Sequence, residues 1–128
     1  MADKKAFDST FETLRAILKP LEKRLLVQAD TPQAYTLALR DVKDRIGKPL
    51  FFGGVRKGKA YVSYHLMGIY VDTSLVSTLS PGLRKRMQGK SCFNFTTIDP
   101  AHVKELTAIT KKVVARFNKK TLEKILPW

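Results

Sequence analysis

The stretch PLFFGGVRKGKAYVSYHLMGIYV, residues 49–71, decides the fold. Apolar, aromatic and β-branched residues fill two strand-like runs, PLFFGGV and KAYVSYHLMGIYV, on either side of the basic turn Arg56–Lys59. Two such runs joined by a short glycine-containing turn predict an antiparallel hairpin. Gly53, Gly54 and Gly68 sit inside these runs, where glycine predicts a bulge or the close approach of another backbone.

Working upstream, RLLVQAD (24–30) and AYTLALR (34–40) form two further strand candidates. Leu25 and Val27, then Tyr35, Leu37 and Leu39, alternate with other residues, and Asp30, Thr31 and Pro32 supply the turn between them. Residues 40–48 are polar and predict an exposed connection to the hairpin. Before the strands, Phe7, Phe11, Leu14, Ile17 and Leu18 recur at helical spacing, and Pro20 ends that helix near Leu18 or Lys19.

Downstream the pattern changes. TSLVSTL (73–79) predicts a short helix capped by Asp72 or Thr73, and a second begins at Pro81. Ser80 suits its N-cap, Pro81 its first position and Gly89 the left-handed position after its last turn. SCFNFTT (91–97) follows as a strand with Phe93 and Phe95 on one face and Cys92 and Asn94 on the other. Asp99 and Pro100 then open a long helix with the stripe Val103, Leu106, Ile109, Val113 and Phe117. Tight turns between consecutive strands make antiparallel neighbours, so the reading is a single α+β domain over residues 1–128. Its mainly antiparallel sheet has about five or six strands, with the N-terminal and C-terminal helices packed on one face.

The 128 residues suffice for one core that buries about two-thirds of the unfolded surface. With 44% hydrophobic and 27% charged residues the composition is that of a globular protein. The charge is less ordinary, at +13. Residues 82–128 hold 11 cations against 3 acids, so the last third carries most of the field. Such a field attracts polyanions. One cysteine, Cys92, excludes an internal disulfide, and the charged start MADKKAFDST lacks a signal-peptide pattern. No apolar run approaches the roughly 20 residues that span a bilayer. A cytoplasmic protein without a membrane anchor, monomeric or homodimeric, is expected.

Phosphate groups are held by backbone N–H groups and by nearby Arg or Lys. RKRMQGK offers Arg84, Arg86 and Lys90 in and after a short helix, and the hairpin turn adds Arg56, Lys57 and Lys59. If both clusters share one side of the sheet, an anionic ligand, or nucleic acid bound without sequence preference, fits between them. Each cluster also reads as solvated surface, as do Lys104, Lys111, Lys112, Arg116, Lys119, Lys120 and Lys124 on the polar side of the last helix. Nucleic acid would further require exposed stacking aromatics, and Tyr61, Tyr64 and Tyr70 lie on strands where they could serve.

A second candidate is a ligand or metal pocket, with enzymatic use open. Tyr61, Ser63 and His65 occupy every second position and share a strand face, and Cys92 lies on another strand. Against that stand the ordinary roles of a buried cysteine and a hydrogen-bonded histidine. His65 and His102 form no paired metal motif, GGVRKGK lacks P-loop spacing, and no cofactor motif is present. A non-catalytic binding module with a basic surface is therefore the leading expectation.

Between Leu83 and Phe117, the basic LRKRMQGK, the strand SCFNF, the DP helix start and the final Val/Leu/Ile helix resemble the YdhG-like group of small bacterial domains of largely unknown function. The resemblance implies an α+β sheet, and through the frataxin-like members of that group it implies iron handling. Iron binding of that type uses an acidic ridge on the first helix, whereas this helix has only Asp8 and Glu12 beside Arg15 and Lys19.

Overall fold

A computed structural model describes residues 4–71, 73–89 and 91–116. Helix α1 (Lys4–Leu18) is followed by a 3-10 turn (Lys19–Lys23), which takes Pro20 in its first turn, where a missing N–H costs nothing. Strands β1 (Leu26–Asp30), β2 (Ala34–Lys43), β3 (Pro49–Lys57) and β4 (Val62–Leu66) form a meander. Then come α2 (Met67–Val71), a 3-10 turn (Thr73–Thr78), α3 (Pro81–Arg84), β5 (Met87–Gln88), β6 (Cys92–Phe95) and α4 (Pro100–Arg116). The order in the sheet is β1-β2-β3-β4-β6-β5, and every pairing is antiparallel. The fold is thus α+β, with six strands among the described residues.

Both long helices lie on one face. Phe7, Phe11, Leu14 and Leu18 of α1 and Leu106, Ile109 and Val113 of α4 join Tyr35, Leu37, Val55, Val62, Tyr64, Phe93 and Phe95 in one buried cluster. The Tyr64 hydroxyl, fully buried, meets Thr110 Oγ1 at 2.7 Å, so this polar group beneath the sheet is satisfied by α4. Burial pushes the Tyr64 phenol far up. At the other end of the layer, Tyr35 donates to Glu22 Oε1 at 2.6 Å, and the Arg15 guanidinium lies 4.7 Å from the Tyr35 ring centre while pairing with Asp30 at 3.0 Å. These contacts tie α1 and the following turn to β1 and β2.

Several expectations are corrected. Strand β3 runs through Lys57, whose N–H bonds to the Gln33 carbonyl at 2.7 Å, so the hairpin turn is 58–61, closed by Gly58 N–H to Tyr61 O at 2.8 Å. Residues 40–48 are not all connection: β2 continues to Lys43, which pairs with Pro49. The turn is 44–48, with Asp44 Oδ1 accepting from Ile46 and Lys48 at 3.0 and 2.9 Å and Gly47 at φ 83°. Met67–Val71 is helix rather than strand, because β6 offers β4 no partner beyond Ser91 and the chain turns over the core to bury Ile69. Val27 stays exposed because β1 is an edge strand with a register shift between Val27 and Ala29.

The basic helix is also shorter than expected. Ser80 caps it, its side chain accepting from Leu83 N–H, but α3 ends at Arg84, and Met87 pairs with Phe93 as a strand. Gly89 does have a positive φ, 75°, yet it serves the turn between β5 and β6 and not a helix end. TSLVSTL forms a 3-10 turn, while Asp72, the Thr73 side chain, Phe117, Lys119, Lys120 and Lys124 lie outside the described residues. The glycine reading holds for Gly53 and Gly54, since the β2–β3 register shifts beside Gly53 and a Cβ on Gly54 would stand 2.8 Å from the Tyr35 carbonyl oxygen, but Gly68 lies in α2, where a Cβ would meet the Val113 side chain and not a backbone.

Candidate functional site on the open sheet face

The pleat sends Tyr35, Val55, Tyr64 and Phe93 toward the helices, so their neighbours in sequence face away from them. Register then orders that second face into rows. Arg56 pairs with Ser63 and Ser63 with Asn94, whose N–H bonds to the Arg86 carbonyl at 2.8 Å. In the next row Gly54 pairs with His65, His65 with Cys92 and Cys92 with Gln88. At one strand spacing per step, Arg56 and Arg86 stand about 14 Å apart at the two ends of a polar lane.

The middle of the lane is hydrogen-bonded. Ser63 Oγ donates to Asn94 Oδ1 at 2.7 Å, and the Cys92 thiol donates to the same oxygen at 3.7 Å. His65 Nε2 lies 2.7 Å from Ser91 Oγ, and the Phe51 ring meets the imidazole edge-on at 5.3 Å. Burial pushes the Cys92 thiol up, only partly opposed by a Ser63 hydrogen bond, and pulls His65 below its ordinary value. Thiol and imidazole are therefore both neutral at pH 7. The thiol's bond goes to an amide and the imidazole's to a hydroxyl, so neither activates the other. Among the described residues no group of three or more His, Cys, Asp or Glu is gathered around a point where a metal would sit.

The two basic clusters are divided by the sheet. Arg56 is exposed on the open face, whereas Lys57 faces the helices, where it pairs with Asp8 and lies 5.6 Å from the Phe11 ring centre. Lys57 therefore does not join Arg56, and Asp8 of the supposed acidic ridge is already engaged. Lys59 is exposed in the 58–61 turn. Arg84 is exposed, its Nε bonded to the Leu79 carbonyl at 3.2 Å, and Arg86 is exposed opposite Asn94. Lys90 lies outside the described residues. Of the proposed pocket, Ser63, His65 and Cys92 are brought together, while Tyr61 stands two residues along the same strand direction, 48% exposed. Tyr64 is buried, which removes it as a stacking surface.

Asn94, whose Oδ1 accepts from both Ser63 and Cys92, lies outside the candidates that the sequence singles out. Its place two positions from Cys92 on one strand face was the available signal. A separate cleft of about 480 Å³ opens between α1 and the start of α4, lined by Ala6, Ser9, Thr10, Thr13, Thr97 and Val103 among others. Ser9, Thr10 and Thr13 share a helix face by their spacing, but nothing in their types singles out a ligand.

The segment that carries the lane is basic. Residues 49–98 contain seven Lys and Arg and a single acid, Asp72. Strands β3 to β6 contain no Asp or Glu at all. No family model, curated protein or solved structure matches this chain. Among the described residues no helix is long and apolar enough to cross a membrane.

Proposed function

We propose that this protein is a cytoplasmic, non-catalytic binding module whose open sheet face holds an anionic partner. The observation that carries the reading is the lane in which Arg56 and Arg86 flank Ser63 and Asn94 across β3 to β6, strands that hold no acid. Exposed arginines supply charge-assisted bonds to phosphate or carboxylate oxygens, and the Asn94 side-chain amide, fixed by the Ser63 hydroxyl bonded to its Oδ1, supplies a neutral donor between them. Lys59 strengthens the field at the rim, whereas Lys57 belongs to the core side and Arg84 to α3, whose cap Ser80 is bonded to Glu105 of α4. The likeness to the YdhG-like domains enters this proposal through the fold, and it contributes no site residue.

Inorganic polyphosphate is the direct probe, because it offers charge without any other recognition feature. Its affinity should fall steeply with salt, and Arg56→Gln with Arg86→Gln together should lower the log–log salt slope by about 2, near one unit per lost contact. Binding that is absent, or that is unchanged in slope when both arginines are replaced, overturns the proposal.

A further inference from the structure

Tyr61 has no part in the fold that would explain its type. It is the one aromatic among the large exposed apolar side chains of the described residues, at 48% exposure. The backbone of the 58–61 turn needs only its carbonyl, which accepts from Gly58 N–H at 2.8 Å. By the alternation of β4, positions 61, 63 and 65 share the open face, since Val62, Tyr64 and Leu66 are buried on the other. The ring therefore stands beside the polar lane, two residues along the strand from Ser63 and next to the Arg56 strand. Lys59 lies two residues earlier in the same turn.

We infer that the anionic partner is a single-stranded nucleic acid, whose phosphates meet Arg56, Arg86 and Lys59 and one of whose bases stacks on Tyr61. This rests on the anion-binding reading above and adds the base to it. A charged groove with an exposed aromatic platform is the combination that holds single strands without sequence preference, because every base presents a π-face. A duplex keeps its base faces stacked inside, so the ring would find no partner there, and α1 and α4 lie on the far side of the sheet and cannot enter a groove. The neutral donors and acceptors of Ser63, Asn94 and Gln88 suit the varied edges of unpaired bases without selecting one.

The test uses the whole chain with four probes: a 20-nucleotide deoxythymidine strand, a mixed-sequence strand of equal length, the corresponding duplex, and inorganic polyphosphate. Fluorescence anisotropy at several salt concentrations should show both single strands binding more tightly than the duplex. Tyr61→Ala should weaken them about tenfold while leaving polyphosphate unchanged, and Tyr61→Phe should retain most of the affinity. If the duplex or polyphosphate binds as well as the single strands, or if Tyr61→Ala changes nothing, the nucleic-acid inference is overturned while the anion-binding reading stands. If no probe binds, both fall.

Discussion

Replacing Gly68 with alanine should destabilise the protein through one contact. An ideal Cβ at Gly68 would lie 2.4 Å from Val113 Cγ1 and 3.4 Å from its Cβ and Cγ2. Val113 is fully buried on α4 and, being β-branched in a helix, has one strongly preferred rotamer, so its methyl cannot swing aside cheaply. The helices must separate or the rotamer must change. At 2.4 Å the clash belongs in the upper part of the usual range for overpacking, about 2–3 kcal/mol. Alanine's better helix propensity within α2 returns up to about 1 kcal/mol. The net loss is then about 1–2 kcal/mol, a fall in Tm of about 3–10 °C for a chain of this size. Val113→Ala alone should cost about 2 kcal/mol by removing two buried methyl-equivalents and leaving a small void. In the double variant the clash is gone, and the two losses should fail to add by about 1–2 kcal/mol in the stabilising direction. Urea unfolding followed by circular dichroism on the four proteins of the cycle measures this. A neutral or stabilising Gly68→Ala, or strict additivity, would refute the close packing of α2 on α4.

Other outcomes follow from the hydrogen bonds and protonation states. Tyr64→Phe leaves the buried Thr110 hydroxyl without its 2.7 Å partner and should cost about 1–3 kcal/mol in the same unfolding assay. His65 has its pKa lowered by burial from an ordinary 6.5, so the unfolded chain takes up its proton first and stability should fall as pH drops below about 6.5; His65→Asn should remove that step. Glu105 is held below its ordinary 4.5 by bonds from the Ser80 hydroxyl and N–H, so its contribution should be present above pH 4.5 and lost on further acidification, and Ser80→Ala should flatten that limb. Cys92, its thiol raised by burial, should react with iodoacetamide at pH 7.5 at least tenfold more slowly in the native protein than in urea.

The sequence carries the elements whose signal is local. Alternation in AYTLALR and the stripe of the last helix place Tyr35, Leu37, Leu106 and Val113 in the core, as observed. Ser80 and Pro81 mark a helix start that does form. Where the outcome depends on a partner elsewhere, the local signal misleads. Met67–Val71 is apolar in any conformation, and only the end of β6 at its pairing with β4 makes it turn into a helix. RKRMQGK has helical spacing, but Met87 finds Phe93 across a hairpin, and that pairing wins. The division of Arg56 from Lys57 follows from a strand parity that a turn placed at 56–59 conceals. Once the turn is set at 58–61, adjacent residues fall on opposite faces, and the basic cluster splits. The convergence of Arg56 and Arg86 lies in the crossover that inserts β6 between β4 and β5, and no local pattern in either segment encodes it.

The most direct measurement of the open-face claim is a backbone amide NMR titration with inorganic polyphosphate at low salt. Shifts should concentrate at Arg56, Lys59, Ser63, Arg86 and Asn94, with the amides of α1 and α4 unmoved. Shifts centred on α4 and its exposed lysines, with the lane silent, would contradict the account.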